Sequence, residues 1–295
     1  VLSIGEDAFD ECSGLTKIKV AEGNTHYNSK GDCNAIIETK TNVLIRGCEA
    51  TVIPNDVIMI GDSAFGGCSG LASITIPDGV TSIGNYAFFG CSGLTSITMP
   101  SGIMSIGKGT FDGCSGLTSI TMPNGITSIE DSTFSDCSGL TSITIPDGVA
   151  SIGDYAFDGC GGLTSITIPN GVTRIGYHAF RMCSGLENIT ILNKDVVIEI
   201  PAFRGVSDNF TIHGYTGSTA EEYATVCGIA FKAIESTDGS EDNGNSGSNT
   251  ETPGGEDTGN GGSNTGNSGT GNGTAGSENT SGGTTGDGST DNGAT

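Results

Sequence analysis

The chain has 295 residues, no Trp, 34 Asp and Glu against 11 Lys and Arg, and a net charge of −23. An acidic balance of this size argues against nucleic acid and anionic membrane surfaces as partners. Ten Cys would read as a disulfide framework in a small secreted protein, but most of them fall on an internal repeat and say little about redox compartment.

Residues 1–20 read as the first partial repeats. Val1-Leu2-Ser3-Ile4-Gly5 aligns with Val80-Thr81-Ser82-Ile83-Gly84 further on, so the chain is expected to begin inside a coil, as an excerpt of a longer sequence. The absence of an initiator Met and of a signal peptide then says nothing about export.

Residues 21–50 interrupt the repeat, because Phe9 and Phe65 stand two periods plus ten residues apart. Ala35-Ile36-Ile37 and Val43-Leu44-Ile45 flank the polar stretch from Thr39 to Asn42, which predicts a β-hairpin projecting from the array. Centred between Lys40 and Thr41, it would set Ile36 against Ile45, Ile37 against Leu44 and Cys33 against Cys48. A disulfide between Cys33 and Cys48 would then be within reach, the alternative being two independent apolar thiols.

Residues 51–206 form the array itself. Phe65, Phe88, Phe111, Phe134, Phe157 and Phe180 recur every 23 residues, with Cys68, Cys91, Cys114, Cys137, Cys160 and Cys183 in step. A strict period of this kind means a solenoid, whose coils bury their apolar side chains only against one another. Within the unit Leu94 to Gly116, Ile97 and Met99 alternate with Ser96 and Thr98 as in a half-buried strand, and Pro100 and Gly102 supply a turn. The remainder has irregular spacing and much Gly, which suits extended chain with one helical turn near Phe111.

Strands of successive coils should pair parallel and in register, since a slip would break every column together. At about 4.8 Å per coil, eight or so coils make a rod on the order of 40 Å long, a surface without an obvious pocket. The Cys column should point one way into the core as small hydrophobes, not as disulfides, metal ligands or redox groups. The pattern lapses where Thr110 and Thr133 replace Ala, Glu130 replaces Gly, Leu192 replaces Pro and Val206 replaces Cys.

Residues 207–234 should cap the open end. Ser218 with Glu221 makes a capping box, residues 220–226 can form a short helix, Gly228 suits its C-terminus, and residues 229–234 read as a last strand. Residues 235–295 change character to Gly, Ser, Asn, Thr and Asp, with no Lys or Arg after Lys232. Such a segment cannot bury enough apolar surface to offset its ordering entropy and is expected to be a disordered acidic linker. Ten of the acidic residues lie from Glu235 onward, which leaves −13 of the −23 on the rest. Gly271 to Gly276 spells GxGxxG, but without a preceding strand or following helix it is compositional noise. The sequence reaches Thr295 with no apolar anchor or sorting signal, which fits either an anchor cut away with a longer chain or secretion.

The recurring motif IGxxAFxxCxxLxxIxIPxxV, seen as Ile83-Gly84, Ala87-Phe88, Cys91, Leu94, Ile97, Met99-Pro100 and Ile103, resembles the BspA-like leucine-rich repeats of the Treponema pallidum type. The resemblance covers about residues 1 to 234, including a stretch from Gly214 to Phe231 similar to that family's terminal unit. It implies a surface or secreted protein, mostly bacterial, associated with adhesion to host matrix, cells or other microbes, and not an enzyme.

The site inventory agrees with that implication. His26, His178 and His213 are scattered, read as surface residues, and lack any HExxH or GxSxG context. Asp62, Asp78, Asp147, Asp154 and Asp158 occupy variable turn positions that local backbone hydrogen bonding favours, at a spacing too irregular for calcium. The strand face repeats Ser and Thr almost without change. Variability gathers around the Phe and Cys columns, where Tyr86, Phe89, Tyr155, Tyr177 and Arg181 are the candidate partner contacts, aromatic and Arg side chains being the usual anchors of interfaces; coverage of the coil is their other reading.

The sequence therefore reads as a repeat solenoid of leucine-rich repeat coils, mostly β and irregular with little helix, and is expected to be a monomeric rod without catalytic residues, cofactor or metal. Its expected work is adhesion, at the cell surface or outside the cell, to proteins or surface polymers of host or neighbouring cells. Two alternatives stand beside it: a structural spacer displaying another domain, and a binder of a repetitive polymer such as glycan through the Ser/Thr ladder.

Overall fold

The computed structural model describes residues 1–5, 8–9, 12 and 14–235, so the expected linker lies outside the described residues save for Glu235. Each full coil carries two short strands. The first follows the Ser-Ile-Thr alternation, as in Ser73–Thr75, Ser96–Thr98, Ser119–Thr121 and Ser142–Thr144, with Ile buried and the flanking hydroxyls exposed. The second, two residues long, follows the turn, as in Ser82–Ile83, Ser105–Ile106, Ser128–Ile129 and Ser151–Ile152. This second strand lies in the stretch read as extended chain. Strands of neighbouring coils pair parallel with residues 23 apart directly opposed, Ser128 against Ser151 and Ile120 against Ile143 among them. The register is fixed because the Ile must stay inside.

Pro begins the turn between the two strands. The carbonyl of Pro77 accepts from the N–H of Val80 and that of Pro146 from Val149, both at 3.1 Å. Where Leu192 replaces Pro, its N–H reaches back to the Ile168 carbonyl at 3.1 Å, a bond Pro could not donate.

The Phe column is a continuous stack. From Phe65 to Phe203, successive rings lie 5.1 to 5.6 Å apart and within 18° of parallel. Beside it, each thiol from Cys91 to Cys183 donates to the carbonyl of the Phe in the preceding coil: Cys91 to Phe65 at 3.1 Å, Cys137 to Phe111 at 3.1 Å and Cys183 to Phe157 at 3.0 Å. Burial pushes these thiols up, that of Cys183 to about 12. The two Thr that replace Ala are buried and satisfied, Thr110 on the carbonyls of Gly107 and Gly84, Thr133 on that of Glu130.

Around each Phe the chain makes consecutive tight turns, with Cys91 N–H bonded to the Phe88 carbonyl and Cys114 N–H to that of Phe111, in place of a helical turn. Alternate residues here also donate to the next coil: Tyr86 to Lys108, Phe88 to Thr110 and Gly90 to Asp112. To aim those N–H groups along the rod, the residues two before and two after the Phe take left-handed backbone angles.

The predicted hairpin forms but does not project. Ile36–Glu38 and Val43–Arg46 pair antiparallel, a third strand Tyr27–Asn28 joins on the outside, and Val43–Arg46 pairs parallel with Met59–Ile60, so the hairpin is part of the solenoid's own sheet. Ile37 and Leu44 are buried in the common core, which is what draws it in. Ile37 opposes Leu44 as expected, but a bulge between Ile36 and Ile37 sets Ile36 opposite Arg46 instead of Ile45.

At the far end the helix Thr219–Cys227 closes the core. Ser218 caps it by accepting from Glu221 N–H, and Gly228, at φ +67°, ends it. The Glu221 carboxylate bonds the N–H of Gly217 at 2.6 Å, one residue earlier than a capping box would have it. Tyr223 meets the last ring, Phe203, edge to face at 5.6 Å, and its hydroxyl accepts the buried N–H of Ala202 at 3.0 Å. The strand Ala230–Ala233 then pairs parallel with Thr211–Gly214.

Candidate functional site

The left-handed positions decide what stands on the loop edge. Two residues before the Phe, successive coils place Ser63, Tyr86, Gly109, Ser132, Tyr155 and His178, all with φ between +52° and +57°. A bulky side chain in this region costs roughly 1–2 kcal/mol, a cost the coil with Gly109 avoids. Tyr86 and Phe89, 46% and 47% exposed, meet edge to face at 6.2 Å. The Tyr86 ring lies where a Cβ on Gly109 would be, so the absence of a side chain in the next coil makes room for it.

A second aromatic group stands three coils on. Tyr155 and Tyr177 meet edge to face at 5.8 Å, Tyr177 stacks on His178 at 3.9 Å, and the Arg181 guanidinium sits 5.9 Å from the Tyr155 ring centre. Arg181 Nε bonds both oxygens of Asp158 at 3.0 Å. The five candidate contacts thus fall into two groups on one edge, Tyr86 with Phe89 and Tyr155 with Tyr177 and Arg181. Tyr155 is half-buried between its neighbours, unlike Tyr86, Phe89 and Tyr177.

His178 is not a surface residue. It is buried, with both ring nitrogens unbonded, because its ring packs against Tyr155 and Tyr177. His26 is exposed in the loop before the hairpin, and His213 is half-buried in the penultimate strand.

Three of the five turn acids, Asp62, Asp154 and Asp158, bond to the next coil. Asp62 Oδ1 accepts from Asn85 N–H at 2.7 Å, and Asp154 Oδ1 from Tyr177 N–H at 3.0 Å, each one coil on. Asp158 holds Arg181. Among the described residues no three His, Cys, Asp or Glu side chains come together as a metal ion would need. Neither Asp112, one of the variable positions around the Phe column, nor Asp136 is among the five candidate contacts. Asp112 is half-buried, and burial, then repulsion from Asp136, pushes its carboxyl up to about 6. The signal was available in the columns, since Asp112 holds the place of Phe89 one coil on.

In the hairpin, Cys33 and Cys48 are free thiols with different surroundings. Cys33 packs in the main core while Cys48 packs with Ile18 and Ile36, and the Cys33 carbonyl pairs with Val52 N–H at 3.1 Å.

On the strand face an open groove of about 430 Å³ runs over Ser142, Thr144, Ser165, Thr167 and Asn188. No helix of the described residues is long and apolar enough to cross a membrane.

Parallel in-register strands, a stacked Phe column and a terminal helical cap define a leucine-rich repeat solenoid. The chain belongs to the BspA type leucine rich repeat family, whose pattern matches six copies over residues 1–39, 45–149 and 106–220. Among solved structures it is similar to a leucine-rich repeat protein from Eubacterium ventriosum, 27% identical with a TM-score of 0.61 over 70% of this chain and 55% of that one. It is also similar to one from Bacteroides ovatus, 25% identical with a TM-score of 0.54 over 79% of this chain and 64% of that one. The pneumococcal vaccine antigen PcpA, 18% identical with a TM-score of 0.50 over 75% of this chain and 50% of that one, shares the fold. The chain thus spans between half and two-thirds of the length of each. No curated protein sequence matches it.

Proposed function

We propose that this chain is a non-catalytic binding module, working at the cell surface or outside the cell, whose repeat surface adheres to proteins or polymers of a host or of neighbouring cells. The observation that carries the reading is the concentration of Tyr86, Phe89, Tyr155, Tyr177 and Arg181 on one loop edge of an otherwise uniform solenoid. Tyr86 and Tyr155 hold strained backbone positions that another coil gives to Gly109, so their side chains are retained against a conformational cost. Many weak contacts along such an edge add up through multivalency. In this reading residues 51–206 are the binding rod, 207–234 its cap and 235–295 a linker.

The test is capture by the immobilised 295-residue chain of matrix proteins, whole cells and polysaccharides, beside a variant carrying Tyr86→Asn, Phe89→Ser and Tyr177→Ser. Capture that the variant loses supports the reading. Capture of nothing at high concentration favours the structural spacer. The groove over Ser142, Thr144, Ser165 and Thr167 supports a second reading, a repetitive polymer such as glycan held by the hydroxyl ladder. Thr144→Val with Thr167→Val would then abolish polysaccharide capture while leaving protein capture intact.

A further inference from the structure

The edge repeats three places: two residues before the Phe, one residue after it, and the residue after the Phe of the next coil. Around Phe157 these hold Tyr155, Asp158 and Arg181. Ring and carboxylate there grip a guanidinium that the next coil supplies, at 5.9 Å from the ring centre and 3.0 Å from the oxygens. Around Phe88 the same places hold Tyr86, Phe89 and Asp112, two exposed rings and a carboxylate without a cation of their own. The Asp112 carbonyl accepts from Gly90 N–H at 2.7 Å, which sets Asp112 in the coil beside Phe89.

Two cations of this edge are already engaged, and Lys108 is the one cation between Tyr86 and Asp136. Lys108 pairs with Asp131 at 2.8 Å and Arg181 with Asp158 at 2.9 Å. Among the described residues neither Asp112 nor Asp136 has an ion-pair partner. Asp112 is charged only against burial and the field of Asp136, which raise its carboxyl. A basic ligand would relieve that repulsion, and the acidic chain would draw one in.

We propose that the edge from Tyr86 to Asp136 docks an extended basic segment of a partner protein, one Lys or Arg side chain lying against Tyr86 and Phe89 with its charge on Asp112, as Arg181 lies between Tyr155 and Asp158. The inference rests on the binding reading above and names the chemistry of the partner. Three coils span roughly 10 Å between the first and the last, at about 4.8 Å a step, which four extended residues cover.

The test is fluorescence anisotropy with the full 295-residue chain at physiological salt. The probe is a fluorescein-labelled octapeptide alternating Lys and Ser, with its Glu and Ser counterpart as control. The Lys peptide should bind and the Glu peptide should not. Tyr86→Asn with Phe89→Ser, which changes no charge and keeps a residue tolerant of left-handed φ, should weaken binding at least ten-fold, as should Asp112→Asn. Asp147→Asn, on a turn away from this edge, should leave it unchanged; melting curves for each variant report its folding. Equal affinity of all variants would reduce the effect to bulk charge and overturn the proposal. Absence of Lys-peptide binding at millimolar concentration would overturn it too. If the chain still captures cells or proteins in that case, the basic partner alone falls; if it captures nothing, the wider reading falls with it.

Discussion

The side-chain oxygen of Asn85 accepts the backbone N–H of Lys108, one coil on, at 2.9 Å, and occupies the space where Gly107 has no side chain. A Cβ on Gly107 would sit 2.7 Å from that oxygen and 2.6 Å from the Asn85 nitrogen. Gly153 stands over Asp131 in the same way, while Glu130, the coil that lacks the Gly, follows Lys108, which offers no acceptor there. Gly107→Ala should therefore cost about 2–3 kcal/mol in urea unfolding, as overpacking against backbone does. Glu130→Gly should stay within about 1 kcal/mol of the parent, since no neighbour requires it.

The thiol ladder makes a chemical prediction. In the native chain only the exposed Cys12 and Cys227 should react with a thiol reagent at neutral pH, and the ladder from Cys68 to Cys183 only after denaturation. Burial keeps the folded Cys183 thiol protonated to about 12, against an ordinary value of 9.0. The unfolded chain thus releases protons first as pH rises, and stability should fall between those two values. At pH 10 the loss should be about 1 kcal/mol for a thiol shifted as Cys183 is, read from urea midpoints. Substituting Ala at Cys137 should make that fall shallower.

What the sequence carried was whatever the period repeats. The Phe and Cys columns, the Ser-Ile-Thr strand and the cap from Ser218 to Gly228 were legible because each is a local pattern stated several times or has its own chemistry. The parts that escaped depend on pairs of coils. Asp62 and Asp154 bond 23 residues ahead, so a local reading assigned them to their own turns. The bulge at Ile36 leaves no mark in an apolar run, and it set Ile36 opposite Arg46. His178 was read as exposed because its burial comes from the rings of Tyr155 and Tyr177, one of them in the preceding coil, which no single-coil pattern reveals.

The cap depends on one hydroxyl. Tyr223 accepts the N–H of Ala202, a buried donor with that partner alone, while its ring closes the Phe stack. Tyr223→Phe keeps the ring and removes the oxygen, so it should cost about 1–3 kcal/mol, the penalty of an unsatisfied buried N–H. Hydrogen exchange should show the Ala202 amide losing protection ahead of amides in the central coils, because a solenoid yields from its ends.

At Asp112 a substitution should stabilise the chain. The Asp112 carboxyl, ordinarily at 3.8, is pushed up to about 6 by burial first and Asp136 second, with Ser135 opposing as a hydrogen-bond donor. Between those values the folded chain holds a proton that the unfolded chain has released, so stability from this group is lost as pH rises through that window. Asp112→Asn removes the charge and keeps the shape. It should raise stability at pH 7.5 by about 1 kcal/mol, less than the full shift implies because solvent screens a half-buried group. At pH 3 the gain should vanish, since both chains are then neutral at this position. A variant no more stable than the parent at pH 7.5 would mean that Ser135 and water already relieve the charge, and the electrostatic argument for a cation at Asp112 would lose its support.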